Sequence, residues 1–275
     1  MVAWHATLFD DKTAQFYSEE EGFARISIKG AKRMRIAQGI EMLELELGGR
    51  TLCPSLLVDE NGWVLVDTGL PGNAPALLEL AKQAGVGELP LRSILLTHQD
   101  IDHVGGLPAF LAAEGDTPSV YAHADDEGAI NGTQPMIKVS QERMAGLMQQ
   151  MTETTRSEFE RTFLHPSRPN VTDRLVDGET LPIAGGVTVI HTPGHTPGHV
   201  SLYHKPSKTL IAGDAMMVVN GELTGPNPPF TPDYPKAIQS LGKLAALDID
   251  TVICYHGGML TGDIPARIAA LANNA

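Results

Sequence analysis

The segment Thr97-His98-Gln99-Asp100-Ile101-Asp102-His103 holds two imidazoles and two carboxylates, directly after the apolar run Ser93-Ile94-Leu95-Leu96. A strand interior cannot accept unpaired charges, and a solvated turn has no need of two histidines, so metal binding accounts for all four together. Further residues of the same type follow other apolar runs. They are His195 and His199 in Thr192-Pro193-Gly194-His195-Thr196-Pro197-Gly198-His199, Asp214 in Ala212-Gly213-Asp214, and His256 in Tyr255-His256-Gly257-Gly258. Such a chain must bring several strand ends to one rim, where loops converge on a rigid frame. The ligand-bearing turns run from position 67 to 256, and a cut anywhere between them divides the site. A single domain over residues 1–275 is therefore expected.

The hydrophobic pattern supplies the frame. Gly39 to Leu47 alternates and leads through Gly48-Gly49 into Thr51 to Val58, a hairpin signature. Trp63 to Val66 is a strand ending at Asp67-Thr68-Gly69, and Ser93 to Leu96 reads as a strand buried on both faces. Strands return at Val187–Ile190, Val200–Tyr203, Thr209–Ile211 and Ile249–Cys254. Helical spacing marks Ala74–Ala84, Leu107–Ala113, the stretch after Pro235, and Ile264–Leu271. Two strand clusters, each followed by helices, predict an α/β (α+β) chain with two sheets face to face and helices outside. Residues 1–38 read as an irregular N-terminal arm with one short strand at Ala24–Ile28. Residues 125–169 read as a helical insertion, because Met144, Leu147, Met148 and Met151 fall at helical spacing. That stripe either packs on the sandwich or forms a lid with an adaptable apolar wall.

Composition narrows the partners. No apolar run reaches the length that crosses a bilayer, and the formal charge of -13 opposes nucleic acid and anionic membrane surfaces. Cys53 and Cys254 are the only cysteines, too few for a disulfide framework and in keeping with a reducing cytoplasm. The first residues lack the basic start and apolar stretch of a secretory signal. A small-molecule substrate is expected. A homodimer is compatible with the sequence, which leaves the oligomeric state open.

Taken jointly, Val66-Asp67-Thr68-Gly69, the His98–His103 segment, Pro193-Gly194-His195, Gly213-Asp214 and His256 resemble the metallo-β-lactamase superfamily, from about Gly39 to Gly258. The resemblance implies a four-layer αββα sandwich with a metal site at one edge. It implies one ion held by His98, Asp100 and His195, and a second held by Asp102, His103 and His256. Asp214 bridges them, and Asp67 orients ligands from behind. His199 reads as a hydrogen-bonding partner that holds the Pro-Gly turn, and His123 and His191 as ordinary strand-end histidines.

One departure bears on the metal: the family segment usually carries histidine where this chain has Asp100. A carboxylate is the harder ligand, so zinc is expected first, with iron or manganese as alternatives. Carboxylate there also resembles the diiron branch of the superfamily, which reduces oxygen or nitric oxide. The expected activity is hydrolysis of a small carbonyl ester, lactone or thioester by a metal-bound hydroxide, with Asp102 both ligand and proton carrier. A diiron redox protein and a metal-holding protein without turnover are the alternatives. Lactonase relatives often place a tyrosine three residues after the bridging Asp; Met217 stands there, leaving Tyr255 or Tyr234 as candidate oxyanion donors.

Overall fold

The computed structural model describes residues 31–47, 49–113 and 117–273. The strand expected at Ala24–Ile28 lies outside them. Sixteen strands in the described residues are β1 (Lys32–Ala37), β2 (Ile40–Leu47), β3 (Arg50–Leu52), β4 (Ser55–Asp59), β5 (Gly62–Val66), β6 (Leu91–Leu95), β7 (Ser119–Ala122), β8 (Asp173–Arg174), β9 (Thr180–Leu181), β10 (Val187–His191), β11 (Val200–His204), β12 (Thr209–Ile211), β13 (Met217–Val219), β14 (Glu222–Thr224), β15 (Thr251–Cys254) and β16 (Gly258–Thr261). The first sheet runs β1-β2-β4-β5-β6-β7-β8 with β3 paired to β2; the second runs β16-β15-β12-β11-β10-β9, and β13 and β14 form a separate hairpin.

Alternation along the strands divides the interior into three cores. In β5, Val64 and Val66 face the second sheet, packing with Val189, Val200, Leu202, Ile211 and Ile253, while Trp63 and Leu65 face outward. Helices α1 (Ala74–Gln83), α2 (Ile101–Val104), α3 (Leu107–Ala112), α4 (Ala124–Ile130), α5 (Gln141–Gln149) and α6 (Glu153–Phe159) lie in the first half of the chain. Buried apolar residues of all of them join the core on that sheet's outer face, and Asp126 of α4 is buried as well. Leu210, Val252 and Cys254 point the other way, against Ile238, Leu241 and Leu244 of α7 (Tyr234–Ala245) and Ile264 and Ile268 of α8 (Ile264–Asn273). The layers are thus helix, sheet, sheet, helix, as period-2 strands with two apolar faces require.

The methionine stripe packs rather than hangs free. Leu147 and Met151 are buried in the first sheet's outer core, with Met144 and Met148 partly buried beside them. The expectation of an irregular arm up to residue 38 is corrected: β1 pairs antiparallel with β2, setting Lys32 opposite Glu44 and Arg33 opposite Leu43. Its sequence, Lys32-Arg33-Met34-Arg35-Ile36-Ala37, hides a strand because most of it is exposed. A charged edge strand draws its order from the ladder and from ion pairs such as Arg33–Glu41 at 2.9 Å, not from burial. β16 and the β13–β14 hairpin also lacked a clear periodic signal.

Strand direction places the site. β5 and β6 are parallel, β12 and β15 are parallel, and β10 runs the same way as β12 because each is antiparallel to β11. The C-terminal ends of these strands release Asp67, His98, His195, Asp214 and His256, so one edge of the sandwich collects them. Ligand sites outside the carboxyl ends of parallel strands are the general rule for open sheets.

Candidate metal centre

All seven predicted ligand residues meet at that edge, in two groups. His98, Asp100, His195 and Asp214 offer donor atoms within 4.8 Å of one another, and so do Asp102, His103 and His256. In the first group, His98 Nε2 lies 3.2 Å and His195 Nε2 3.0 Å from Asp100 Oδ2. In the second, His256 Nε2 lies 3.3 Å from Asp102 Oδ2. Asp214 spans both: Oδ1 is 3.3 Å from His103 Nε2, and Oδ2 is 3.3 Å from both His195 Nε2 and His256 Nε2.

Local backbone explains the placement. Asp100 is extended (φ -66°, ψ 146°) and caps α2, whose first turn carries Asp102 and His103, so one short segment serves both groups. Gly106 allows that turn to pass against the Asp67 loop, since a Cβ there would meet Thr68 O at 2.1 Å. In the Thr192–His199 turn, Gly194 adopts φ +133°, and a Cβ would meet Ala237 N at 2.2 Å.

Hydrogen bonds behind the ligands fix their tautomers. Asp67 Oδ2 accepts from Thr97 Oγ1 and pairs with His103 Nδ1, both at 2.8 Å, while Oδ1 accepts from Thr97 N at 2.8 Å. The proton on His103 is thereby held at Nδ1, and the Nε2 lone pair faces the cluster. With its hydrogen committed to Asp67, Thr97 Oγ1 accepts from His98 Nδ1 at 3.0 Å, which turns His98 Nε2 inward too. Thr231 does the same for His195: its hydroxyl donates to Asn227 O at 2.8 Å and receives His195 Nδ1 at 3.4 Å. Asp67 supports this network from a left-handed conformation, φ 61°, unusual for a residue with a side chain.

His199 is excluded as a donor. Its Nε2 accepts from Asp214 N at 2.9 Å and its Nδ1 contacts Thr192 Oγ1 at 2.8 Å, so both ring nitrogens are used in holding the turn and Asp214. His123 and His191 stack at 3.9 Å with an interplanar angle of 13°, and together with Asp125 their donor atoms also come within 4.8 Å. Two nearly parallel stacked rings cannot both aim an in-plane lone pair at one ion. Tyr255 is corrected as an oxyanion donor: its buried hydroxyl donates to Asp102 O at 2.5 Å and its ring lies 3.7 Å from that of His103. Cys254 lies in the outer core of the second sheet and Cys53 between the sheets; burial pushes the Cys53 thiol up to about 12.

The residues fit a pair of cations. His98 Nε2, His103 Nε2 and Asp214 Oδ1 are buried without a hydrogen-bond partner, an arrangement that costs on the order of 1–3 kcal/mol per group unless something satisfies it. Burial opposes charge on His256, yet Asp214 and Asp102 outweigh it and push that imidazole up to about 10. Burial likewise disfavours the Asp214 carboxylate, but His256, His103 and His195 hold it well below the usual range. Three carboxylates among four imidazoles, with shared use of Asp214, form a donor set suited to divalent cations.

Several positioning residues had no sequence signal. Asp126, buried in the first turn of α4, accepts from Gln99 N (2.9 Å), Gln99 Nε2 (3.0 Å), Thr196 Oγ1 (2.7 Å) and Gly198 N (2.8 Å), and so ties the His98 segment to the His195 turn. Lys138 reaches the first group itself, with Nζ 2.5 Å from Asp100 Oδ2. The only hint lay in Asp100, an extra carboxylate in need of a counter-charge. An open cleft of ≈ 370 Å³ is lined by Met217, Val219, Pro226, Asn227, Pro228 and Tyr234, among others. Its walls are linked to the two groups through intermediates: Asn227 O receives the Thr231 hydroxyl that contacts His195, and Val218, between Met217 and Val219, donates its N–H to His256 O at 3.0 Å. The Pro-rich stretch thus forms part of this cleft's wall.

Known proteins carry the same framework. The chain is 29% identical over 259 residues to the "Probable metallo-hydrolase YflN" of Bacillus subtilis (strain 168), covering 90% of this chain and 95% of that one. It is 26% identical over 195 residues to an "N-acyl homoserine lactonase" from Bacillus sp, covering 62% of this chain and 64% of the lactonase. Its structure is similar to that of a metallo-β-lactamase family protein from Thermus thermophilus, with TM-score 0.62 and 27% identity over 86% of this chain and 79% of that one. A sequence profile of the metallo-β-lactamase superfamily matches residues 48–256, and with that span, the layered sandwich and the paired donor groups in place, the chain belongs to the metallo-β-lactamase superfamily.

Proposed function

We propose that this metallo-hydrolase cleaves a small carboxylic ester, lactone or thioester. The observation that carries the reading is the sharing of Asp214 between two groups of imidazole and carboxylate donors. Divalent cations at such groups supply an activated water and an electrophile for a carbonyl oxygen. The chain's own part is to place and exclude. His98, His103 and His195 are buried and oriented from behind, while Asp102 is partly exposed, with side-chain accessibility of 23%. Asp102 is therefore the carboxylate able both to hold a cation and to carry a proton toward the leaving group. A cleft of ≈ 370 Å³ suits a small acyl group, at the lower end of ligand-pocket sizes. Tyr234, which lines the cleft, is the remaining candidate for the phenol that lactonase relatives carry after the bridging Asp. The similarity to a protein named as a lactonase supports the ester class.

The test is hydrolysis of a panel of lactones, aryl esters and thioesters before and after chelation. Activity on at least one class, lost with chelator and restored by zinc, manganese or iron, is expected. An activity indifferent to chelation refutes metal-dependent hydrolysis. Iron in the purified protein, with oxygen or nitric oxide consumption and no esterase activity, would instead establish the redox alternative that Asp100 raises. Occupied metal without turnover on any substrate would leave a metal-holding protein.

A further inference from the structure

Among the described residues, Lys138 is the one ammonium that reaches a candidate donor group through contacts on both sides of it. It lies in the segment joining α4 to α5, and that segment is fastened to the ligand-bearing turn: Ile137 N donates to Gln99 Oε1 at 3.0 Å, and Gln99 is itself pinned by Asp126. From there Nζ stands 2.5 Å from Asp100 Oδ2 and 2.7 Å from His195 Nε2, with the side chain only 11% accessible. Since Thr231 holds the other His195 nitrogen, the lone pair that Lys138 meets is the one aimed at the cluster.

The same oxygen and nitrogen are what a first ion would use. A divalent transition ion needs them at roughly 2.0–2.2 Å. An ammonium hydrogen-bonded to both occupies the approach to both, and a divalent and a univalent cation held so close repel strongly in a buried site. At the second group the side-chain contacts are of a different kind, with Asp102, His103 and His256 facing one another and Asp214. Asp100 gives Lys138 a carboxylate to pair with, which an imidazole at that position would not.

We propose that Lys138 is a built-in competitor for the first ion, so that the two donor groups load unequally. The Asp102–His103–His256 group, with Asp214, takes its cation tightly. The His98–Asp100–His195 group takes one only when Lys138 withdraws. This rests on the metal-centre reading above and adds to it a stoichiometry and the residue that sets it.

The experiment is zinc titration of the chelated full chain by calorimetry, together with elemental analysis of the zinc retained after desalting. Wild type is expected to keep one zinc per chain and to bind a second at least about tenfold more weakly. Lys138→Met, which removes the ammonium and keeps the bulk, is expected to tighten that weaker site by about tenfold or more and to retain two, whereas Lys138→Arg stays at one. Two equally tight zinc ions in wild type overturn the proposal without any variant, and so does a Lys138→Met protein that still keeps one. No zinc bound by any form overturns the metal-centre reading itself.

Discussion

Asp126 offers the sharpest check on how the site is assembled. Its two oxygens take four hydrogen bonds, and two of the donors are buried backbone N–H groups, of Gln99 and Gly198, that precede and follow ligand-bearing positions. Asp126→Ala strips all four donors at once. Each abandoned buried N–H costs about 1–3 kcal/mol, and loss of the hydrogen bonds to the Gln99 and Thr196 side chains adds less because those groups can turn. Allowing for non-additivity, the loss is about 3–5 kcal/mol, a large part of the ~5–15 kcal/mol that keeps an ordinary domain folded. Asp126→Asn has the same shape and keeps an oxygen for one pair of donors, but sets an NH₂ against the other pair, so its cost is about 1–3 kcal/mol. Urea unfolding of the chelated proteins measures the order directly, without cation binding contributing to the apparent stability. Wild type above Asn above Ala is expected, together with weaker zinc binding in both variants because His98 and His195 are no longer held to one another. An alanine variant within about 0.5 kcal/mol of wild type, the range of an ordinary surface substitution, refutes the tethering role.

Two other outcomes follow from the same network. Asp67→Asn can adopt the left-handed backbone at φ 61° but has one acceptor oxygen for three donors, so it releases either Thr97 or His103. Zinc affinity, measured against a chromophoric chelator, is expected to fall about 10- to 100-fold, and an unchanged affinity contradicts the tautomer argument. In the chelated protein, Asp214 and Asp102 overcome burial to raise His256 from 6.5 to about 10. A raised imidazole stabilises the fold fully below its unfolded value and loses that contribution as pH rises through the folded one. The melting temperature of chelated protein is therefore expected to decline between about pH 6.5 and about pH 10. The zinc-loaded protein, whose His256 is already unprotonated, should lack this part of the decline, and parallel profiles for the two forms would rule out His256 as its source.

What could be read from the chain and what could not divide along a physical line. The residues legible in sequence are those whose anomaly is local: imidazoles and carboxylates standing where an apolar strand ends, as at His98–His103, or glycines that let turns close, as at Gly194. The layered fold was legible for the same reason, since Val64 and Val66 face one way and Trp63 and Leu65 the other within five consecutive positions. β1 was illegible because it buries little and is ordered by pairing. Asp126, Thr231 and Lys138 were illegible because their surroundings, not their neighbours in sequence, give them a role. Asp126 sits among Asp125 and Glu127 as any acidic first turn of a helix would, yet it alone of the three is buried and fully bonded. Lys138 is the instructive case. The sequence displays a carboxylate at position 100, and the ammonium that pairs with it stands 38 positions away in the segment between α4 and α5. A substitution within a charged cluster is therefore understood only with the charge that answers it. Placing histidine at position 100 while leaving Lys138 in place would strand a nearly buried ammonium, so Asp100→His is expected to cost more stability with Lys138 present than in a Lys138→Met background, and equal costs by urea unfolding would refute the pairing.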